Sequence, residues 1–169
     1  MYCIATSPSP IPMRRPADDF AVTLDFAVCA DAVFDWYNNA PCGYHLLDAH
    51  GRFLQINNTA LRWLGCTRDS LVGLRTFQDF LAPDSVGAFD RCFADLQKHG
   101  AVSECEIRLC RADGSLLDIS LSATADYDET GVCVRSRYTL VDISRQKAVE
   151  AKLRERDTAI AGLLQAKPD

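Results

Sequence analysis

Residues 101–125 read AVSECEIRLCRADGSLLDISLSATA, two alternating runs about one tight turn. In the first run Cys105, Ile107 and Leu109 alternate with Glu104, Glu106 and Arg108. In the second, Leu117, Ile119, Leu121 and Ala123 alternate with Asp118, Ser120, Ser122 and Thr124. A period of two places each apolar set on one face of a strand. Asp113-Gly114 between them is a hairpin turn, because Gly adopts positive φ without steric cost. The pattern predicts two long antiparallel strands with one face on a core and the other facing water.

Working outward, the polar linker Asp126–Gly131 leads to a third run, Val132–Val141. Its even positions Val134, Ser136, Tyr138 and Leu140 are predicted to point inward and Arg135 and Arg137 outward. Upstream, Tyr44–Asp48 and Arg52–Ile56 flank the turn Ala49-His50-Gly51 and read as a second hairpin. Between the hairpin and Ala101 three short helices are predicted. The first is capped by Asn57 or Asn58 and stopped by Gly65. The second, Arg68–Val72, is capped by Thr67 and ended by Gly73. The third starts at Asp84 or Ser85, reaches about His99, and carries Val86, Phe89, Phe93 and Leu96 on one face. Two strands, a helical excursion and three strands predict an α+β fold, one five-stranded antiparallel sheet with short helices over one face.

Flanking segments complete the reading. Residues 1–16, with four prolines and a Ser-Pro run, read as a disordered tail. Residues 17–39 read as an N-terminal flanking helix: Phe20, Leu24 and Val28 repeat every four residues, and Val33, Phe34, Trp36 and Tyr37 follow, with a break expected near Ala30–Asp31. Pro41 and Gly43 end it. Residues 40–143 form the central domain. Residues 144–169 form a C-terminal helix with a partial stripe of Val149, Leu153, Ile160 and Leu163 or Leu164, interrupted by Arg156.

The chain has 169 residues, 48% hydrophobic and 24% charged, with a formal net charge of −5. That balance suits a single globular domain with flanking segments and argues against a nucleic-acid surface. No signal peptide and no apolar run of about 18 residues is present, so the reading expects a cytoplasmic protein and no membrane partner. The eight cysteines show no zinc-ligand spacing, and they are expected to be reduced. His45, His50 and His99 read as solvated or packed rather than catalytic. Asp126-Tyr-Asp-Glu129 lacks the glycine and terminal glutamate of a calcium loop and reads as a solvated turn.

Five motifs in order resemble the PAS domain family. Asn38-Asn-Ala-Pro-Cys-Gly-Tyr44 resembles its N-A-P-x-G opening. Asp48-Ala-His-Gly51 with Phe53-Leu-Gln-Ile-Asn57 resembles D-x-x-G-x-I-x-x-x-N. Leu64-Gly65 with Leu71-Val-Gly73 resembles L-G-Y-x-x-E-E-L-I-G, with Cys66 in place of the aromatic and Ser70 in place of an acid. Arg108–Gly114 resembles R-x-K-D-G. Val141-Asp-Ile-Ser144 with Lys147 and Glu150 resembles D-I-T-x-x-K-x-x-E, the exit into a signalling helix.

The resemblance implies a sensory module that binds a small molecule in an internal cavity, or dimerises through its flanking helices as a homodimer, or both, to regulate a downstream effector domain or protein. An alternative is the input fragment of a histidine kinase or diguanylate cyclase whose catalytic part lies elsewhere. It implies no enzyme. Candidate cavity residues are Phe77, Phe80, Phe89 and Phe93 from the helical side and Ile107, Leu109, Leu121, Ser136 and Tyr138 from the sheet. The same residues also read as plain core. Asp142 and Ser144 form the candidate signalling junction. The photo-adduct flavin branch places a Cys where Gly73–Phe80 has none, and haem relatives place a His in the long helix, which here offers only the terminal His99. Both cofactors are disfavoured, and the cofactor is left open, with a small organic ligand as one candidate. No metal site is predicted.

Overall fold

The computed structural model describes residues 26–165, with side chains described for residues 29–162. The expected tail, residues 17–25 and Leu163 or Leu164 of the C-terminal stripe lie outside the described side chains. Helix α1 spans Phe26–Asn38 and runs through Ala30–Asp31 without the expected break. Strand β1 is Gly43–Asp48 and β2 is Phe53–Ile56. Helix α2, Asn58–Leu64, and helix α3, Arg68–Leu71, follow. Two single 3-10 turns, Phe77–Phe80 and Pro83–Ser85, lead into α4, Val86–His99. Strands β3 (Ala101–Cys110), β4 (Leu116–Tyr127) and β5 (Cys133–Asp142) are followed by α5, Ser144–Gln165.

The five strands form one sheet in the order β2-β1-β5-β4-β3, with every pair antiparallel. The alternations resolve as the period of two requires. Ile107, Leu109, Leu117, Ile119, Leu121, Ala123, Tyr138 and Leu140 are buried under the helices, and Ser136 is buried beside Tyr138. Two inward assignments fail. Val134 is exposed, because β5 runs past the helical layer at its N-terminal end, and Val86 is exposed on the first turn of α4. Strand β3 also departs from strict alternation. A bulge between Val102 and Cys105 puts Glu104 at φ 58°, a left-handed conformation unusual for a residue with a side chain. The Glu104 amide donates to Ser122 Oγ at 3.3 Å.

The bulge seats Cys105 against α4, where it forms a disulfide with Cys92, Cα–Cα 6.5 Å. The expectation of wholly reduced cysteines is corrected for this pair. Cys29, Cys42, Cys66, Cys110 and Cys133 are thiols. The bridge fastens the long helix to the edge strand of the sheet.

Capping explains where the helices start and stop. Asn57 Oδ1 accepts the Ala60 amide at 3.0 Å, and Gly65 closes α2 at φ 71°. Thr67, the expected cap of α3, makes no side-chain cap; the Ser70 hydroxyl donates to the Thr67 carbonyl instead. Asp79 closes a capping box with Thr76 at the first 3-10 turn. Between sheet and helices Phe53, Ile56, Leu64, Leu71, Phe77 and Leu96 are fully buried, each burial stabilising the fold by about 2 kcal/mol.

Candidate functional site

The helical layer and the inner sheet face meet in a box of aromatic rings. Phe77 lies 5.4 Å from Phe89, and Phe89 stacks on Phe93 at 6.1 Å. Phe77 and Tyr138 are near-parallel with centroids 6.1 Å apart. These four side chains, with Leu47 and His50, line a recess of about 120 Å³. Its exposed lining is Ala49, His50 and Gln78, so it opens beside the β1–β2 turn and ends inside the core at Tyr138.

Of the expected cavity residues, Phe77, Phe89, Phe93 and Tyr138 are brought together on this recess. Phe80, Ile107, Leu109 and Leu121 pack in the continuous core behind it and do not line it. Ser136 is also set back from the recess, and its hydroxyl lies 3.3 Å from Tyr138 Oη. Burial pushes the Tyr138 phenol above its ordinary range, which keeps it a neutral donor.

The sequence reading did not single out His45 for this site. It occupies the inward position of β1 between Gly43 and Leu47 and is only 3% exposed. Its ring stacks on Tyr138 at 4.7 Å and on Phe77 at 4.8 Å, and meets Phe53 edge-on at 5.3 Å. Neither ring nitrogen has a hydrogen-bond partner among the described residues. Burial lowers the imidazole pKa from 6.5 to about 3, so the ring is neutral at physiological pH. The alternation of β1 carried the signal: the period that buries Leu47 also buries the residue two before it.

A second, larger hollow of about 740 Å³ lies on the opposite face of the sheet. It is an open groove lined by Trp36, Tyr44, Leu46, Val102, Thr124 and Arg137 among others. Above it α1 leaves Phe34 68% and Trp36 69% exposed. At the other end of the domain Asp142 Oδ1 accepts the Ser144 amide at 2.9 Å, the first turn of α5. The Ser144 hydroxyl caps nothing among the described residues. Lys147 on α5 pairs with Glu106 on β3 at 2.7 Å. Asp126 and Tyr127, expected in a solvated turn, instead end β4, where hydrogen bonds from Arg135 and then Arg137 lower the Asp126 carboxyl pKa below its ordinary value. The turn begins at Asp128, which accepts the Thr130 and Val132 amides. No group of side chains suited to a metal ion occurs among the described residues. No helix among them is long and apolar enough to cross a membrane.

A single antiparallel sheet in this order, with a helical layer closing over an aromatic recess, is the architecture of a sensory module. The PAS domain family model matches residues 41–145, and the chain belongs to that family. Solved structures agree on the fold. A PAS domain from Colwellia psychrerythraea is 15% identical, with 69% of this chain and 98% of that one covered, TM-score 0.60. The PAS domain of a LuxR-family transcriptional regulator from Burkholderia thailandensis, in complex with ethanol, is 22% identical, covering 64% and 95%, TM-score 0.53. A domain of a sensory box sensor histidine kinase/response regulator from Geobacter sulfurreducens is 21% identical, covering 71% and 99%, TM-score 0.53. No curated protein matches the sequence.

Proposed function

We propose that this PAS domain senses a small neutral molecule held in the recess bounded by Phe77, Phe89, Phe93 and Tyr138, and passes its occupancy to an output domain through β5, Asp142 and α5. The observation that carries this reading is a recess that runs from the surface to the Tyr138 ring, with the buried, unpartnered His45 imidazole stacked behind that ring. Pockets that bind small molecules are mostly apolar with a few convergent polar groups, and this one has aromatic walls with the hydroxyls of Tyr138 and Ser136 behind them. The ethanol complex of the Burkholderia relative is in keeping with a ligand of modest size. Phe80, Ile107, Leu109 and Leu121 pack behind the recess as the floor that holds it in shape.

Dimerisation belongs to the same proposal. Phe34 and Trp36 on α1, and Val149, Leu153 and Ile160 on α5, form apolar surfaces on helices that leave the domain core. A homodimer through these helices lets ligand-driven change in β5 alter how two output segments meet. The output is a kinase, cyclase or regulator domain in the cytoplasm, and no chemistry is assigned to this domain itself. Native mass spectrometry of freshly purified protein tests the sensory reading. A bound species of low mass, released by denaturation and raising the melting temperature when added back, is the expected result. A protein that is ligand-free and unresponsive to a library of small neutral compounds overturns it.

A further inference from the structure

The two orphaned nitrogens of His45 bear on what the recess binds. A neutral imidazole offers one N–H donor and one lone-pair acceptor, and buried polar groups are nearly always paired. Here both sites are unpaired in a residue that is 3% exposed. The ring lies directly behind Phe77 and Tyr138, the two side chains that close the inner end of the recess. Across the β1–β5 pairing His45 faces Tyr138 and Leu47 faces Ser136, so one imidazole and two hydroxyls share a single patch of the inner sheet face.

Three properties of the site define its occupant. Its size, about 120 Å³, is close to that of apolar cavities of roughly 150 Å³ that take up benzene. Its walls are flat rings, which favour stacking on another ring. Its lining carries no Lys, Arg, Asp or Glu, and an ion in such surroundings has no counter-charge. The occupant is therefore neutral, ring-sized and in need of one hydrogen-bonding group at its inner end. A hydroxyl is the group that both donates and accepts.

We propose, resting on the sensory reading of the recess, that the ligand is a phenol: a neutral aromatic ring stacked among Phe77, Phe89 and Phe93 whose hydroxyl is held by the His45 imidazole. The phenol O–H donates to the unprotonated ring nitrogen, and the phenol oxygen accepts from Tyr138 Oη. No proton is transferred. The approach runs between the Phe77 and Tyr138 rings and takes a rotation of the Tyr138 side chain off its stack on His45.

The test compares phenol with toluene, which has nearly the same shape and no hydroxyl, by calorimetric titration of the full chain. Wild type is expected to bind phenol at least about tenfold more tightly than toluene, because a site built to pair a hydroxyl rejects the analogue that lacks it. His45→Phe keeps a ring in place and removes both nitrogens. It is expected to retain toluene and lose the preference for phenol. A wild type with no preference, or a variant that keeps it, overturns the role of His45 while leaving the recess a binding site. Binding of neither ring overturns the recess reading and this one together. A second readout needs no variant. The imidazole nitrogen resonances of His45 in wild type shift with phenol and not with toluene, and resonances indifferent to phenol overturn the proposal.

Discussion

The side-chain amide of Asn57 donates to the main-chain carbonyl of Tyr37 at 3.0 Å, across 20 positions of sequence. The same amide donates to the Cys42 carbonyl at 3.0 Å, while Asn57 Oδ1 accepts the amides of Tyr44 and Ala60, both at 3.0 Å. One fully buried side chain thus joins the end of α1, the start of β1 and the first turn of α2. Arg68 adds to the joint, donating to the Ile56 carbonyl and to Asn38 Oδ1.

As a helix cap alone, Asn57 is worth about 1 kcal/mol. The four bonds make Asn57→Ala costlier, about 3 kcal/mol, since buried backbone groups are left unpaired. Urea unfolding measures it. A loss of about 1 kcal/mol means that the side chain serves the helix only and does not hold α1.

The Cys92–Cys105 bridge closes a short loop, and loops of this size contribute about 3 kcal/mol through the unfolded chain. Cys105→Ser is expected to lower stability by 2–3 kcal/mol, a range on the order of that contribution. Dithiothreitol should do the same to wild type and nothing further to the variant. Equal stability of wild type with and without reductant rules the bridge out in solution.

His45 makes stability depend on pH. Its folded pKa, about 3, lies below the unfolded value of 6.5, so the unfolded chain takes up a proton that the folded one refuses. Stability is complete above pH 6.5 and falls as pH drops toward 3, by roughly 1.4 kcal/mol per unit. The one titratable side chain stacked on the ring, Tyr138, is shifted upward and stays neutral throughout this window. The wild-type minus His45→Phe difference should therefore decline by about 2 kcal/mol from pH 6.5 to 5. A flat difference means that the imidazole is solvated.

Phe34→Glu with Trp36→Glu places charge on exposed apolar sites of α1 and leaves the core untouched. Light scattering is expected to show a dimer for wild type and a monomer for the double variant, with the same melting temperature at high dilution. A dimer that survives both charges has its contact elsewhere.

Asp142→Ala removes the acceptor of the Ser144 amide at the head of α5. An exposed cap of this kind is worth about 1 kcal/mol, or about fivefold in amide exchange over the first turn of the helix. Unchanged exchange at Ser144–Lys147 shows that the helix starts without help from Asp142.

The strands, their order of appearance and the Asn57 cap were legible because period-two alternation, Asp-Gly turns and capping residues are local signals. The Cys92–Cys105 bridge was not, since it depends on a β3 bulge that residues 102–105 do not announce and on which turn of α4 faces it. Val134 read as inward because alternation gives the face of a strand and not where the helical layer above it ends. Phe80 and Leu121 read as cavity because buried aromatics and aliphatics look alike in sequence whether they line a recess or fill a core. His45 had the pattern of a core position. What the pattern could not give is that nothing in the protein pairs with its nitrogens.

Strand β1 and strand β5 are neighbours, with Gly43 opposite Leu140. The chain therefore enters and leaves the sheet side by side, about 5 Å apart at that pair. Such a domain behaves as a cassette. Spliced between two other segments it lengthens the polypeptide by more than a hundred residues yet scarcely moves the two joints apart, so an ancestral protein can acquire a sensor without rebuilding the spacing of its existing parts.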